Sequence, residues 1–136
     1  ISRRGAAGGG NGGPFAVMSA EECKQRGNEH FQKQEYELAI EAYSEAIGLD
    51  PRQCSFWLNR CTAYRKLGRW ADAEQDAAQA LELEPTNGKA WYGHAICLQQ
   101  LGRIGEGLQA CETGLLVQPD NKALEQLKMA MVREEI

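Results

Sequence analysis

Lysine and asparagine side chains recur along this chain, and their chemistry suits the binding of carboxylates. Lys24 and Asn28 are four residues apart, so a helix would present both on one face. Asn59, Lys66 and Lys89 follow later in the chain. Ammonium groups supply positive charge and amide N–H groups donate hydrogen bonds, a combination that suits a carboxylate ligand. The elements that carry these residues must bring them together.

Enzymatic and metal chemistry have little support in the sequence. The five cysteines form no C-x-x-C pair, and His30 and His94 are the only histidines. This pattern favours reduced, packed thiols in a reducing compartment such as the cytoplasm. No nucleophile–base–acid set and no strand–glycine loop–helix phosphate motif is visible. The sequence therefore predicts that the chain is not an enzyme and uses no metal or other cofactor.

The composition argues against two classes of partner, although a local basic patch within an acidic chain stays open. The 136 residues are 43% hydrophobic and 25% charged, which suits one domain or one row of repeats. The longest apolar runs fall far short of the roughly 18 residues that a membrane helix needs. The net charge of −4 argues against nucleic-acid binding, which usually needs a basic domain. We therefore expect neither a membrane nor a nucleic acid as partner.

Residues 1–19 differ from the rest of the sequence. Six of the 15 glycines precede Pro14. A segment this poor in apolar side chains does not bury enough surface to offset its ordering entropy, so we expect it to be disordered. Met18 is typical of a natural start, which predicts that the residues before it are an added leader.

The remaining sequence repeats with a period of 34 residues. Pro51, Pro85 and Pro119 follow one another at this spacing, and Trp57 and Trp91 share it. Internal repetition of this length is typical of stacked supersecondary units. The predicted units are residues 20–53, 54–87 and 88–121, with a terminal segment over 122–136.

Each unit is predicted to contain two helices. Gly68 and Gly102 are typical signals for the end of a first helix, and the repeated prolines end the second. In the terminal segment, Leu124, Leu127 and Met131 have helical spacing. The prediction is an all-α stack whose last helix covers the apolar face of the third unit.

This pattern resembles the tetratricopeptide repeat (TPR) over residues 20–136. In the second unit the family's characteristic positions hold Trp57, Tyr64, Ala73, Ala80 and Pro85. The resemblance implies a right-handed superhelical solenoid with a concave groove that binds a peptide or a protein.

In such a stack the first helices of the units line the groove. Offsets 2, 5, 6, 9, 12 and 13 of each unit fall on one helix face, and they carry four cations and one anion. The acidic residues gather on the second helices and the turns, and this segregation of charge would steer an anionic ligand to the groove. The predicted groove face comprises Glu21, Lys24, Gln25, Asn28, Phe31, Gln32, Ser55, Leu58, Asn59, Thr62, Arg65, Lys66, Lys89, Tyr92, Gly93, Ile96, Gln99 and Gln100.

The segments KQRGNEHF and WLNR resemble those of dicarboxylate-clamp repeats in chaperone partners. That subfamily holds a peptide ending in Glu-Glu-Val-Asp by its carboxylates. The resemblance implies that Lys24, Asn28, Asn59 and Lys89 hold the peptide, with Lys66 as a further cation. The implied partner is the C-terminal tail of a heat-shock protein of the 90 or 70 class, and the implied role is that of a cytoplasmic co-chaperone adaptor.

The ligand's apolar side chain has candidate contacts on the same face. Phe31, Leu58 and Ile96 are predicted to take an aliphatic side chain of the peptide. Gly93 stands where the subfamily has an arginine. One charge-assisted hydrogen bond contributes about 1.5–3 kcal/mol, so we expect weak, salt-sensitive binding.

Two alternatives remain at the level of sequence. The chain is a generic TPR scaffold for an unrelated protein, with its clamp residues inherited but unused, an interpretation that Gly93 favours. Alternatively, the C-terminal REEI docks in the groove of a second copy. A monomer is the expectation.

Overall fold

The computed structural model describes residues 17–135, and this part of the chain consists of helices and short turns. Residues 1–16 of the predicted leader, and Ile136 of the predicted docking tail, lie outside the described residues. The helices are α1 (Ala20–Gln32), α2 (Tyr36–Leu49), α3 (Cys54–Lys66), α4 (Trp70–Leu83), α5 (Gly88–Gln100), α6 (Ile104–Val117) and α7 (Lys122–Glu135).

The first helix starts with a reciprocal cap. The backbone N–H of Glu22 donates to Ser19 Oγ (3.1 Å), and the backbone N–H of Ser19 donates to Glu22 Oε1 (2.8 Å). Two N–H groups that lack intrahelical partners are thereby satisfied. Met18 packs beside the buried Cys23 and Phe56. The packed part of the chain therefore includes the last residues of the predicted leader segment.

The turn after the first helix of each unit uses a left-handed residue. Gly68 has φ 73° and Gly102 has φ 80°, as their positions predict for helix ends. Gln34 occupies the same place in the first unit with φ 63°. The backbone geometry of this turn is therefore kept in a unit that lacks the glycine.

The repeated tryptophans have a repeated hydrogen bond. Trp57 Nε1 donates to the carbonyl oxygen of Pro51 (2.9 Å), and Trp91 Nε1 donates to that of Pro85 (2.8 Å). Each bond ties the start of a first helix to the turn that precedes it. This contact gives a physical reason for the shared spacing of tryptophan and proline.

The helices pack in chain order, each mainly against the next. In addition, α3 contacts α5, and α5 contacts α7. The first helices of the second and third units therefore lie side by side with α7, while α4 and α6 lie behind them. This arrangement confirms the predicted all-α stack of helix pairs.

The terminal helix α7 covers the third unit. Leu124, Leu127 and Met131 are buried in one cluster with Leu98 of α5 and Cys111 of α6. The prediction that this helix covers the apolar face of the third unit is confirmed.

Two glycines on α6 allow this close approach. A methyl group on Gly107 would lie 2.9 Å from Met131 Sδ, and one on Gly114 would lie 2.7 Å from Leu124 Cδ1. The third unit therefore has glycines in place of the family's alanines where α7 packs. Within residues 17–135, no helix has the length and apolar character of a membrane span.

Candidate functional site

A groove of about 590 Å³ lies between α3 and α5 and extends to the start of α7. We call it the α3–α5 groove. Its lining combines basic, amide, hydroxyl and apolar side chains, which suits a peptide more than a small apolar ligand. The lining residues are Ser55, Leu58, Asn59, Cys61, Thr62, Arg65, Glu84, Asn87, Gly88, Lys89, Tyr92, Gly93, Asn121 and Ala123.

The α3 wall contains five of the six positions that helical spacing predicts for the second unit. They are Ser55, Leu58, Asn59, Thr62 and Arg65. Among the predicted peptide-binding residues, Asn59 and Leu58 are thus brought together. The sixth position, Lys66, is the last residue of α3; it is exposed and does not line the groove.

The α5 wall brings Lys89 to the same groove, together with Tyr92 and Gly93. Lys89 is exposed, so its ammonium group is accessible to a ligand. Ile96 lies one turn further along α5 and does not line this groove. It packs against the clusters that contain Cys97 and Leu98, so the structure places it at the edge of the core.

The predicted residues of the first unit lie on α1. Lys24 and Asn28 are 34 residues before Leu58 and Thr62, which both line the groove, so α1 presents them in the equivalent direction. Lys24 Nζ is 3.0 Å from Glu21 Oε2. The hydrogen bond from Lys24 lowers the pKa of the exposed Glu21 carboxyl. A ligand carboxylate at Lys24 would therefore compete with Glu21.

Asn28 is oriented by a buried tyrosine. The Tyr43 hydroxyl donates to Asn28 Oδ1 (2.6 Å). Burial raises the pKa of Tyr43 to about 12, so the hydroxyl stays protonated and remains a donor. With its oxygen accepting this bond, the Asn28 amide has its N–H₂ group left to donate to a ligand.

Phe31 has a packing role on α1. It packs beside Ala39, Ile40 and Tyr43 and makes an edge-to-face contact with Tyr36 at 5.2 Å between ring centroids. The structure therefore gives this side chain core contacts and does not place it in the α3–α5 groove.

Several polar groups in the groove are already occupied. Thr62 Oγ1 donates to the Leu58 carbonyl oxygen (3.0 Å). Asn87 caps α5 by accepting from the Ala90 N–H (3.1 Å), and Asn121 accepts from the Leu124 N–H (3.0 Å). Asn59 has no such bond within the described residues, which leaves its amide available to a ligand. Sequence reasoning missed the two capping asparagines, although each directly precedes a helix start.

The charges in the groove are Arg65 and Lys89 against Glu84. Cys61 also lines the wall, and hydrogen bonding with Cys97 together with burial raises the pKa of its thiol. Both effects favour the neutral form of the Cys61 thiol, which argues against a nucleophilic role for it. Within the described part of the chain, no three His, Cys, Asp or Glu side chains are grouped to hold a metal ion.

His94 follows Gly93 but lies outside the groove lining. Its Nδ1 is 3.2 Å from Glu74 Oε2, and its ring makes an edge contact with Trp91. Burial lowers the pKa of His94, while Glu74 opposes this effect. The structure gives His94 a packing role against Trp91 and Glu74.

Two sequence models of one family match the chain. One, described as tetratricopeptide repeat, matches residues 64–130, and the other, described as TPR repeat, matches residues 27–68. The chain is 38% identical over 66 residues to human small glutamine-rich tetratricopeptide repeat-containing protein beta. This matched segment covers 48% of this chain and 22% of the relative. It is 38% identical over 65 residues to the E3 ubiquitin-protein ligase CHIP of Arabidopsis thaliana, with 48% and 23% covered. The chain therefore spans less than a quarter of the length of these relatives.

Solved structures match over most of the chain. The second TPR domain of human RPAP3, in complex with the HSP70 peptide SGPTIEEVD, has a TM-score of 0.79 and 34% identity, covering 82% of this chain and 93% of that one. The first TPR of Spaghetti (RPAP3), bound to the HSP90 peptide SRMEEVD, has a TM-score of 0.82 and 26% identity, covering 85% and 92%. With two family models spanning residues 27–130 and a stack of helix pairs in the structure, this chain belongs to the tetratricopeptide repeat family.

Proposed function

We propose that this chain is an adaptor that binds the acidic C-terminal peptide of heat-shock chaperones of the 70 or 90 class. One observation carries the proposal: Asn59 of α3 and Lys89 of α5, which match the clamp pattern, line one open groove together with an additional arginine. The similar domains from RPAP3 and Spaghetti were solved with peptides that end in EEVD, which supports the same ligand class here.

The charges of the groove fit a carboxylate ligand. Lys89 is exposed and makes no ion pair with any side chain of the described residues, and the Asn59 amide is also unoccupied there. A peptide carboxylate between them would accept a hydrogen bond from the amide and pair with the ammonium. Lys24 and Asn28, which lie on α1, would hold a second carboxylate of the peptide. Leu58 on α3 offers an apolar contact to the peptide in the groove.

The role follows from this mode of binding. A groove that recognises a short, exposed peptide end makes the chain an interaction module, so we propose an adaptor without catalytic activity of its own. All five cysteines are buried, free thiols, which supports a reducing compartment such as the cytoplasm.

Calorimetric titration tests the proposal directly. A peptide ending in Glu-Glu-Val-Asp is compared with the same peptide carrying an amidated C-terminus. We expect the free acid to bind with a Kd near micromolar or weaker and the amide to bind at least about tenfold more weakly, since it lacks one carboxylate. Equal affinity for both peptides would refute a carboxylate clamp, and no binding of either would favour a generic scaffold for another protein.

A further inference from the structure

The most informative feature beyond the predicted clamp lies next to Gly93. A methyl group built on Gly93 would lie 4.0 Å from Arg65 Nη1 and 3.4 Å from Cys61 Sγ. The guanidinium of Arg65, which comes from α3, therefore lies beside the α5 position from which an arginine is missing. Two helices contribute to this one location in the groove, and Arg65 supplies its positive charge.

Arg65 is held in place by an aromatic ring. Its guanidinium carbon is 5.5 Å from the ring centroid of Tyr92, which lines the same groove. A cation over a tyrosine face is attracted by the ring quadrupole, and stacking leaves the edge of the guanidinium open to a partner. The contact thus orients the fork of N–H groups before any ligand binds.

The hydrogen-bonding capacity of Arg65 is unused within the described residues. Its Nε is buried and has no hydrogen-bond partner among residues 17–134, and no carboxylate there forms an ion pair with its guanidinium. Arg60, five residues earlier on α3, differs: both its Nε and its Nη2 donate to Asp76. Because Arg65 Nε is shielded from solvent, a ligand acceptor in the groove would meet the Arg65 Nη groups, which form no hydrogen bond within the described residues either.

We propose that Arg65 supplies the clamp guanidinium, from α3, in place of the arginine that Gly93 lacks on α5. Arg65 would donate charge-assisted hydrogen bonds to a carboxylate of the peptide seated between Asn59 and Lys89. Gly93 has no side chain beside this guanidinium, and a methyl group there would already come into contact distance of Arg65 Nη1. This assignment rests on the proposed function and names a further peptide-binding residue for the same groove.

Titration of a Glu-Glu-Val-Asp peptide into Arg65→Ala tests the assignment. We expect affinity to fall about 10- to 100-fold relative to the unmodified chain. Arg103→Ala is the matched control, because it removes the same charge from an exposed pair with Glu106 on α6; it should change the Kd less than about twofold. Arg65→Gln, which removes the charge but keeps a shorter polar side chain, replaces Arg65→Ala if the latter loses its cooperative melting transition.

A relocated arginine provides the decisive readout. In Arg65→Ala/Gly93→Arg the guanidinium returns to the same location from α5, so we expect most of the lost affinity to be restored. Loss without restoration, or an Arg65→Ala variant that binds as tightly as the unmodified chain, would overturn the role of Arg65 while leaving the proposed function in place. Absence of binding by the unmodified chain would overturn both proposals.

Discussion

The guanidinium of Arg60 on α3 donates to both carboxylate oxygens of Asp76 on α4, each N···O distance being 2.8 Å. Arg60 Nη1 also donates to Ser44 Oγ on α2 (2.9 Å). Asp76 is 2% exposed, so its charged side chain lies in the core of the described chain. Although it directly follows Asn59, Arg60 therefore joins three helices instead of serving the groove.

The buried pair makes a specific prediction about stability. Asp76→Ala should lower the free energy of unfolding by about 3–5 kcal/mol, because it leaves the largely buried Arg60 without its partner. Urea unfolding followed by circular dichroism measures the loss. Asp72→Ala is the matched control: its pair with Arg69 is exposed, so its cost should stay within about 1 kcal/mol. Equal losses in the two variants would contradict a structural role for the Arg60–Asp76 pair.

Much of the fold and one wall of the site follow from spacing in the sequence. The recurrence of Pro51, Pro85 and Pro119 fixes the repeat length, and helical geometry then selects the face of α3 that contains Asn59. Both inferences depend on backbone periodicity, which local sequence determines. The buried residues of α7 were predictable for the same reason.

The periodicity of the sequence does not predict which residues a long side chain will contact. Arg60 and Arg65 lie five residues apart on one helix, yet the first is paired with Asp76 and the second stacks on Tyr92. Partner choice depends on residues 16 and 27 positions away, respectively, and on the space left by neighbouring helices. Spacing placed Arg65 on the groove face, but its proposed role depends on its distance to Gly93, which only the packed structure provides.

The close approach of α7 to the third unit predicts a penalty for a small substitution. In Gly114→Ala the new methyl group would lie 2.7 Å from Leu124 Cδ1 and 2.8 Å from Trp91 Cβ. We expect a net loss of about 1–2 kcal/mol in the free energy of unfolding, because overpacking outweighs the gain of about 1 kcal/mol in helix propensity. Thermal and urea unfolding measure it.

Gly105→Ala on the same helix provides the control. No atom lies within 4 Å of the methyl group it adds, so it should leave stability unchanged or raise it by up to about 1 kcal/mol. If Gly114→Ala were as stable as Gly105→Ala, the close packing of α7 at Leu124 would not contribute to the fold.

The left-handed residue in the first turn predicts a stabilising substitution. Gln34 has φ 63°, where Gly68 and Gly102 stand in the later units. A non-glycine residue in this left-handed region carries a conformational penalty of about 1–2 kcal/mol. Glycine avoids this penalty, but its greater entropy in the unfolded chain offsets part of the gain in stability. Gln34→Gly should therefore raise the free energy of unfolding by about 0.5–1 kcal/mol. The reverse change Gly68→Gln, measured by the same urea titration, should lower it; a loss of stability in Gln34→Gly would contradict this account of the turn.

Removing either lysine of the proposed clamp should lower the affinity for the peptide. Lys89→Ala should weaken binding of a Glu-Glu-Val-Asp peptide about tenfold, because an accessible ammonium facing the groove is lost. Lys24→Ala should also reduce affinity about tenfold, while Glu21→Ala should increase it modestly, because Glu21 competes for the Lys24 ammonium at 3.0 Å. Rising ionic strength should weaken binding to the unmodified chain more steeply than to either lysine variant.

Substitutions of Lys66 and Lys128 test whether a lysine must line the groove, or whether the loss of any positive charge weakens binding. Lys66 lies at the end of α3 outside the groove lining, so Lys66→Ala should weaken binding less than Lys89→Ala. Lys128 lies on α7 beside Glu112, and Lys128→Ala should leave the Kd within about twofold of the unmodified chain. A peptide that binds the Lys24→Ala and Lys89→Ala variants with unchanged affinity would refute the proposed clamp, which depends on these two ammonium groups.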